Sequence, residues 1–175
     1  MPASPSSRPM RVPNDTVIEQ VLIVFFRVCI GWIFLHAGLD QVLQPHFSAT
    51  GFLSHVKTFH NEFAPLTAPG IVPVVSFIVE WGQVLLGLSL ILGAFVRVSA
   101  IFGIFLMLTF YLAHMNWPYN DSRFYFIVGP HLIFAGILLY LLVKRAGHIL
   151  GVDGWLARYP GLANHPLLKP CLGKP

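Results

Sequence analysis

Apolar residues gather into four long runs along this chain, about 18–43, 71–93, 96–115 and 123–143. A helix needs about 20 mainly apolar residues to cross a bilayer. Each run therefore predicts a membrane helix, and the chain predicts an all-α, four-helix transmembrane bundle. The second and third runs meet at a tight turn, Gly93-Ala94-Phe95, whereas about 27 residues separate the first from the second. In that long connection Phe52, Leu53, Val56, Phe59 and Phe63 recur at helical spacing between His55, Lys57, His60 and Asn61. The spacing predicts a short amphipathic helix lying on the outer membrane surface. Pro65, Pro69 and Pro73 then break the chain ahead of the second run.

The organisation that follows is a flexible tail at 1–15, a transmembrane domain at 16–147 and an interfacial tail at 148–175, with Trp155 and Tyr159 at headgroup level. Eight Lys and Arg residues (Arg8, Arg11, Arg97, Lys144, Arg145, Arg158, Lys169, Lys174) flank the runs on one side; two, Lys57 and Arg123, lie on the other. The positive-inside rule then predicts that both termini are cytoplasmic. The first run exceeds a signal-peptide core of about 7–15 residues, so it is expected to stay as a membrane helix.

Composition agrees. The chain is 55% hydrophobic and 10% charged, against about 25% charged in soluble domains. Most of its surface should face lipid, and the reading is one integral membrane domain. The net charge of +4 is small, and nucleic acid is not an expected partner. The bilayer and other membrane-complex subunits are. Cys29 and Cys171 fall at opposite ends of the chain, which predicts neither a disulfide nor a metal site.

Five ionisable residues interrupt or rim the runs: His36, Asp40, Glu80, His114 and His131. Under the charge-based topology all five fall toward the outer side. A charge near the centre of a spanning helix costs roughly 2.5–3.5 kcal/mol on insertion scales, so such groups usually face protein. His36 and Asp40 are one turn apart and share a helix face with Trp32 and Cys29. Ser76, Glu80, Gln83 and Gly87 form a polar or small stripe on the second run, and Met107 and Tyr111 accompany His114 on the third. Arg27 lies on the face opposite His36, and is expected to snorkel to the cytoplasmic interface or to pair with a neighbouring helix. Pro130, just before His131, should kink the fourth helix. The spacings of Gly31 with Gly38 and of Gly129 with Gly136 suit close helix packing.

The run RVCIGWIFLHAGLDQVL, followed by an aromatic loop ending in prolines, resembles the first helix of the DoxX/DoxD family of small four-helix membrane proteins. IVEWGQVLLGLSLILGAFVR resembles that family's second helix, and His114 closing the third helix and GVDGW after the fourth also fit. The likeness covers roughly residues 20–156. It implies redox work in a bacterial or archaeal cytoplasmic membrane. In this family DoxD is the large subunit of a thiosulfate:quinone oxidoreductase, which passes electrons from thiosulfate to quinone and yields tetrathionate. Glu80 and His114 carry over as functional positions; Arg27, Gly31 and Gly38 carry over as structural ones.

Three functions are compatible with these residues. The first is a quinone-reactive oxidoreductase subunit. Its quinone would sit among His36, His131, Trp81 and Tyr111, with Glu80, His114 and Asp40 exchanging protons and Arg123, Asn116 and Lys57 receiving an anionic substrate. The second is a non-catalytic accessory or assembly subunit of a respiratory or photosynthetic complex. The third, and least favoured, is a b-type haem held by two of His36, His114 and His131, because Asp40 and Glu80 crowd the same region.

Overall fold

The computed structural model describes residues 16–120 and 126–159. The first helix, α1 (Val17–Leu43), begins at Thr16, whose hydroxyl accepts the Glu19 N–H while the Glu19 carboxylate takes the Thr16 N–H. This reciprocal cap satisfies two backbone donors at the helix start. Next come two single-turn helices, α2 (Thr50–Leu53) and α3 (His60–Phe63), and a 3-10 turn at Ala64–Thr67. The one amphipathic helix expected over this stretch is thus two pieces. The reason lies in the backbone: the Thr58 N–H donates to Met115 O at 3.3 Å and is lost to a continuous helix. Leu53, Val56 and Phe63 do not lie on a membrane surface: they are buried, packed with Ala49, Ala113, Val72 and Val75 over the end of the bundle. Ser76 pins the start of this cap. Its hydroxyl accepts the Ala49 N–H at 2.9 Å and donates to Val72 O at 2.8 Å.

α4 (Val72–Leu92) and α5 (Val96–Ala113) match their runs within two residues and are joined by the expected turn. Gly93 takes φ 70°, and the Ala94 N–H reaches Ser89 O at 3.0 Å. A left-handed residue closes a helix this way at little cost only when it is glycine. A two-residue hairpin follows, β1 (Met115–Asn116) antiparallel to β2 (Tyr119–Asn120). The last long helix, α6 (Pro130–Val143), starts seven residues later than its apolar run predicted. Phe126 has φ 47° and Gly129 is extended. Pro130 is the first helical residue, so it does not kink the helix: its missing N–H has no partner to lose there. Arg123 lies outside the described residues. A 3-10 turn (Ala146–His148) and α7 (Val152–Leu156) complete the order.

Three of these helices, α1, α4 and α5, are long and apolar enough to cross a membrane. α6, at 14 residues, reaches about 21 Å at 1.5 Å per residue. α1 packs along α4 and α5 along α6, around Ile23, Ile30, Phe34, Leu86, Leu90, Leu138 and Leu141. Glycines set the first pairing. A Cβ on Gly38 would stand 2.6 Å from Val84 N, and one on Gly87 would stand 2.5 Å from Leu35 N. Gly31 belongs to the same seam. Gly129 and Gly136 do not form a second one. Gly129 lies against the Asn120 side chain and Gly136 faces open space.

Arg27 does not snorkel. It is 2% exposed, and its guanidinium donates to Ala146 O at 2.7 Å, Ile149 O at 2.9 Å and Leu150 O at 3.2 Å. Nearby, the buried Asp153 carboxylate accepts the Phe95 and Val96 N–H groups at 2.7 and 3.0 Å. It thereby satisfies donors at the start of α5. The GVDGW segment is therefore folded onto the Gly93 turn, which the Asp153 N–H also grips through Gly93 O at 2.9 Å. Trp155 and Tyr159 remain exposed.

Candidate functional site

At the hairpin end of the bundle the helices enclose an apolar cavity of about 290 Å³. Its walls come from four helices: Ala37 and Gln41 on α1, Val79 and Gln83 on α4, Leu106 and Phe110 on α5, and His131 on α6. The connection after α1 folds over it, with Phe47, Phe52, Phe63 and Leu66 forming the roof. The cap described above thus has a purpose: it closes this end of the bundle over a space the helices alone leave open.

Few polar groups reach this space. Gln83 is 2% exposed, and its Oε1 has no hydrogen-bond partner among the described residues; the same is true of Gln41 Oε1. A buried amide oxygen without a partner costs about 1–3 kcal/mol and is usually met by a water or a ligand. His114 and His131 stack here with ring centroids 4.7 Å apart. Phe110 stands edge-on to His131 at 5.9 Å and Phe52 lies against His114 at 5.2 Å. His114 Nδ1 is 2.8 Å from Phe110 O. That carbonyl can only accept, so Nδ1 carries the proton and Nε2 is the nitrogen able to take one.

A second, smaller recess of about 160 Å³ opens on the other side of His114. It is lined by Phe52, His55, Lys57, Ala113, His114, Met115 and Asn116. Phe52 and His114 therefore belong to both spaces and form the wall between an apolar interior and a recess with a cationic side chain. The Trp117 N–H donates to Thr58 Oγ1 at 3.0 Å, which ties the hairpin to the cap beside this wall.

Of the five ionisable residues singled out above, the structure brings two together, His114 and His131. His36 and Asp40 point away from the cavity, on the exposed face of α1. Glu80 is half-buried, between the cavity-lining Val79 and the exposed Trp81. Trp81 packs beside Phe77 at 6.5 Å, outside the cavity. Tyr111 donates its hydroxyl to Ile127 O at 2.9 Å and so holds the approach to α6. Asn116 lines the polar recess. Gln41 as a cavity residue was missed altogether, and Gln83 was seen only as part of a stripe. The available signal was an amide deep in an apolar run, which needs a partner as much as a charge does. No group of three or more His, Cys, Asp or Glu side chains suited to a metal ion occurs among the described residues.

Long apolar helices around a capped apolar cavity define a helical membrane protein. The family follows from comparison: residues 22–115 match DoxX, and the chain belongs to the DoxX family. The match runs from α1 through His114 and includes Gln41, Gln83 and Lys57; α6 with His131, and the Asp153 segment, lie beyond it. No curated protein and no solved structure matches the chain.

Proposed function

We propose that this protein is a quinone-reactive subunit of a membrane redox complex, with the quinone ring in the apolar cavity and a small anionic reductant in the polar recess. The observation that carries the reading is the position of His114 in the wall shared by the two spaces. An aromatic ring with two oxygens needs an apolar slot and polar groups at its edges; Gln41, Gln83, His114 and His131 supply those edges. Lys57, His55 and Asn116 suit an anion in the recess. With both termini in the cytoplasm, as the Lys and Arg distribution implies, the recess opens to the outside.

Reduction of a quinone to a quinol consumes two electrons and two protons. For a thiosulfate-like reductant, two thiosulfate ions joining as tetrathionate release the two electrons. A redox cofactor or partner subunit would have to carry those electrons to the quinone. The chain's own residues bind the ring and move protons. His114 Nε2, protonated from the recess, passes its proton to a quinone oxygen and is reprotonated from the same side. A purely structural accessory role would leave the cavity and the inward Gln83 amide unexplained.

Replacing Gln83 with leucine, or His114 with phenylalanine, should weaken binding of a short-chain ubiquinone or its quinol about tenfold each, a change of about 1.4 kcal/mol. Trp81→Phe, outside the cavity, should leave binding unchanged. Titration of the purified protein in nanodiscs measures this, and equal affinities across the three variants would dismiss the cavity as the quinone site.

A further inference from the structure

We infer that a small dianion binding in the polar recess takes up protons from solution, so that the reductant itself loads the proton that His114 passes on. The inference rests on the proposed reading of the recess as an anion site and adds how that site is controlled. Two imidazoles line the recess, His55 from the cap and His114 from the end of α5. Both are held in the same way. His55 Nδ1 lies 2.5 Å from Gly51 O and His114 Nδ1 lies 2.8 Å from Phe110 O, in each case the carbonyl four residues earlier. A carbonyl only accepts, so each neutral ring keeps its proton on Nδ1 and carries a lone pair on Nε2. A ring in that form brings no charge to an anion. The form that does so needs a second proton, on Nε2.

No acid in the recess supplies that proton. Besides the two imidazoles, its polar lining residues are Lys57 and Asn116. Neither Glu62 on α3 nor Glu80 on α4 lines the recess or the apolar cavity. From α6, His131 stacks on His114 with ring centroids 4.7 Å apart. The ionisable groups facing His114 are therefore Lys57, His55 and His131, all of them cationic when protonated, and like charges this close repel. A dianion among them reverses the balance, because a nearby opposite charge favours the protonated form. Linkage then gives the sign. A ligand that favours the protonated rings binds more tightly as pH falls, and its binding draws protons in. The protons come from the solvent, and no electron moves in this step.

Thiosulfate and sulfate stay dianions between pH 6 and pH 8, the range over which imidazole changes charge. A change of affinity over that range therefore belongs to the protein. Thiosulfate is titrated against the wild-type chain in nanodiscs of neutral lipid, at an ionic strength held constant with chloride. Its affinity should rise about tenfold from pH 8 to pH 6. Calorimetry at pH 7, in buffers of different ionisation enthalpy, should show net proton uptake. His55→Gln combined with His114→Gln should still bind the anion through Lys57 and Asn116, with an affinity that no longer changes with pH. His55→Gln alone, on the exposed cap, serves if the double variant accumulates poorly, and should remove about half of the pH dependence on a logarithmic scale. Lys57→Met should weaken binding at every pH and keep the slope. Equal affinity at pH 6 and pH 8 overturns the inference and leaves the recess as an anion site. A slope that survives in the double variant also overturns it. No binding at either pH overturns both the inference and the recess half of the proposed function, while the quinone titration reads the cavity independently.

Discussion

Replacing Arg27 with leucine should destabilise the folded protein by about 3–5 kcal/mol, the range seen when one partner of a buried charged network is removed. The side chain is fully enclosed and satisfies three carbonyls, at Ala146, Ile149 and Leu150. Leucine fills much of the space but leaves those oxygens without that donor, and the Ala146 oxygen is buried. It also frees the segment that carries Asp153, whose carboxylate holds the start of α5. Arg27→Lys should recover part of the loss, since an ammonium reaches one or two of the carbonyls but lacks the planar fork that serves three. Thermal unfolding in detergent would show the order wild type, lysine, leucine; a leucine variant as stable as wild type would mean that Arg27 is not the tie between α1 and the chain after α6.

Gly87→Val is expected to cost about 3 kcal/mol, at the upper end of the overpacking range. Its Cβ would meet backbone, Leu35 N at 2.5 Å and Gly31 O at 2.7 Å, and backbone cannot rotate aside as a side chain can. α1 and α4 would have to separate. Gln41 and Gln83 stand on those two helices, so the cavity should widen and quinone affinity should fall together with stability. Gly136→Ala, which meets nothing within 4 Å, is the matched control and should leave both unchanged. The measurement pairs unfolding temperature with quinone titration for each variant.

These two positions mark how much was legible before the structure. Long apolar runs report helices directly, because a spanning segment cannot expose backbone to lipid; α1, α4 and α5 follow their runs closely. The Gly93 turn was equally plain, since a break between two apolar runs at a glycine has few other forms. The fourth run was misleading because Phe126, Ile127 and Val128 are apolar, and hydropathy does not distinguish a helix from an approach segment that turns at Phe126. Arg27 was read from its own helix, whereas its partners lie more than a hundred residues further along the chain. The cap differs from the helix expected on the membrane surface: its apolar residues pack over the end of the bundle instead.

The candidate site was half visible. His114 and His131 were marked as titratable groups in apolar surroundings, and they meet. His36 and Asp40 carried the same signal for a different reason, since periodicity shows that residues share a face but not which face turns inward. Gln41 and Gln83 carry no charge to mark them in the sequence, although a buried amide oxygen makes the same demand for a partner.

A photoreactive quinone offers the most direct test of the central claim. The wild-type protein in native-like membranes is labelled with an azido-quinone, digested and sequenced by mass spectrometry. The account predicts labels on cavity residues such as Gln41, Gln83, Phe110, His114 and His131, displaced by excess unlabelled quinone. Displaceable labelling confined to lipid-facing residues such as Phe77, Trp81 and Phe105, with the cavity unmarked, would contradict it.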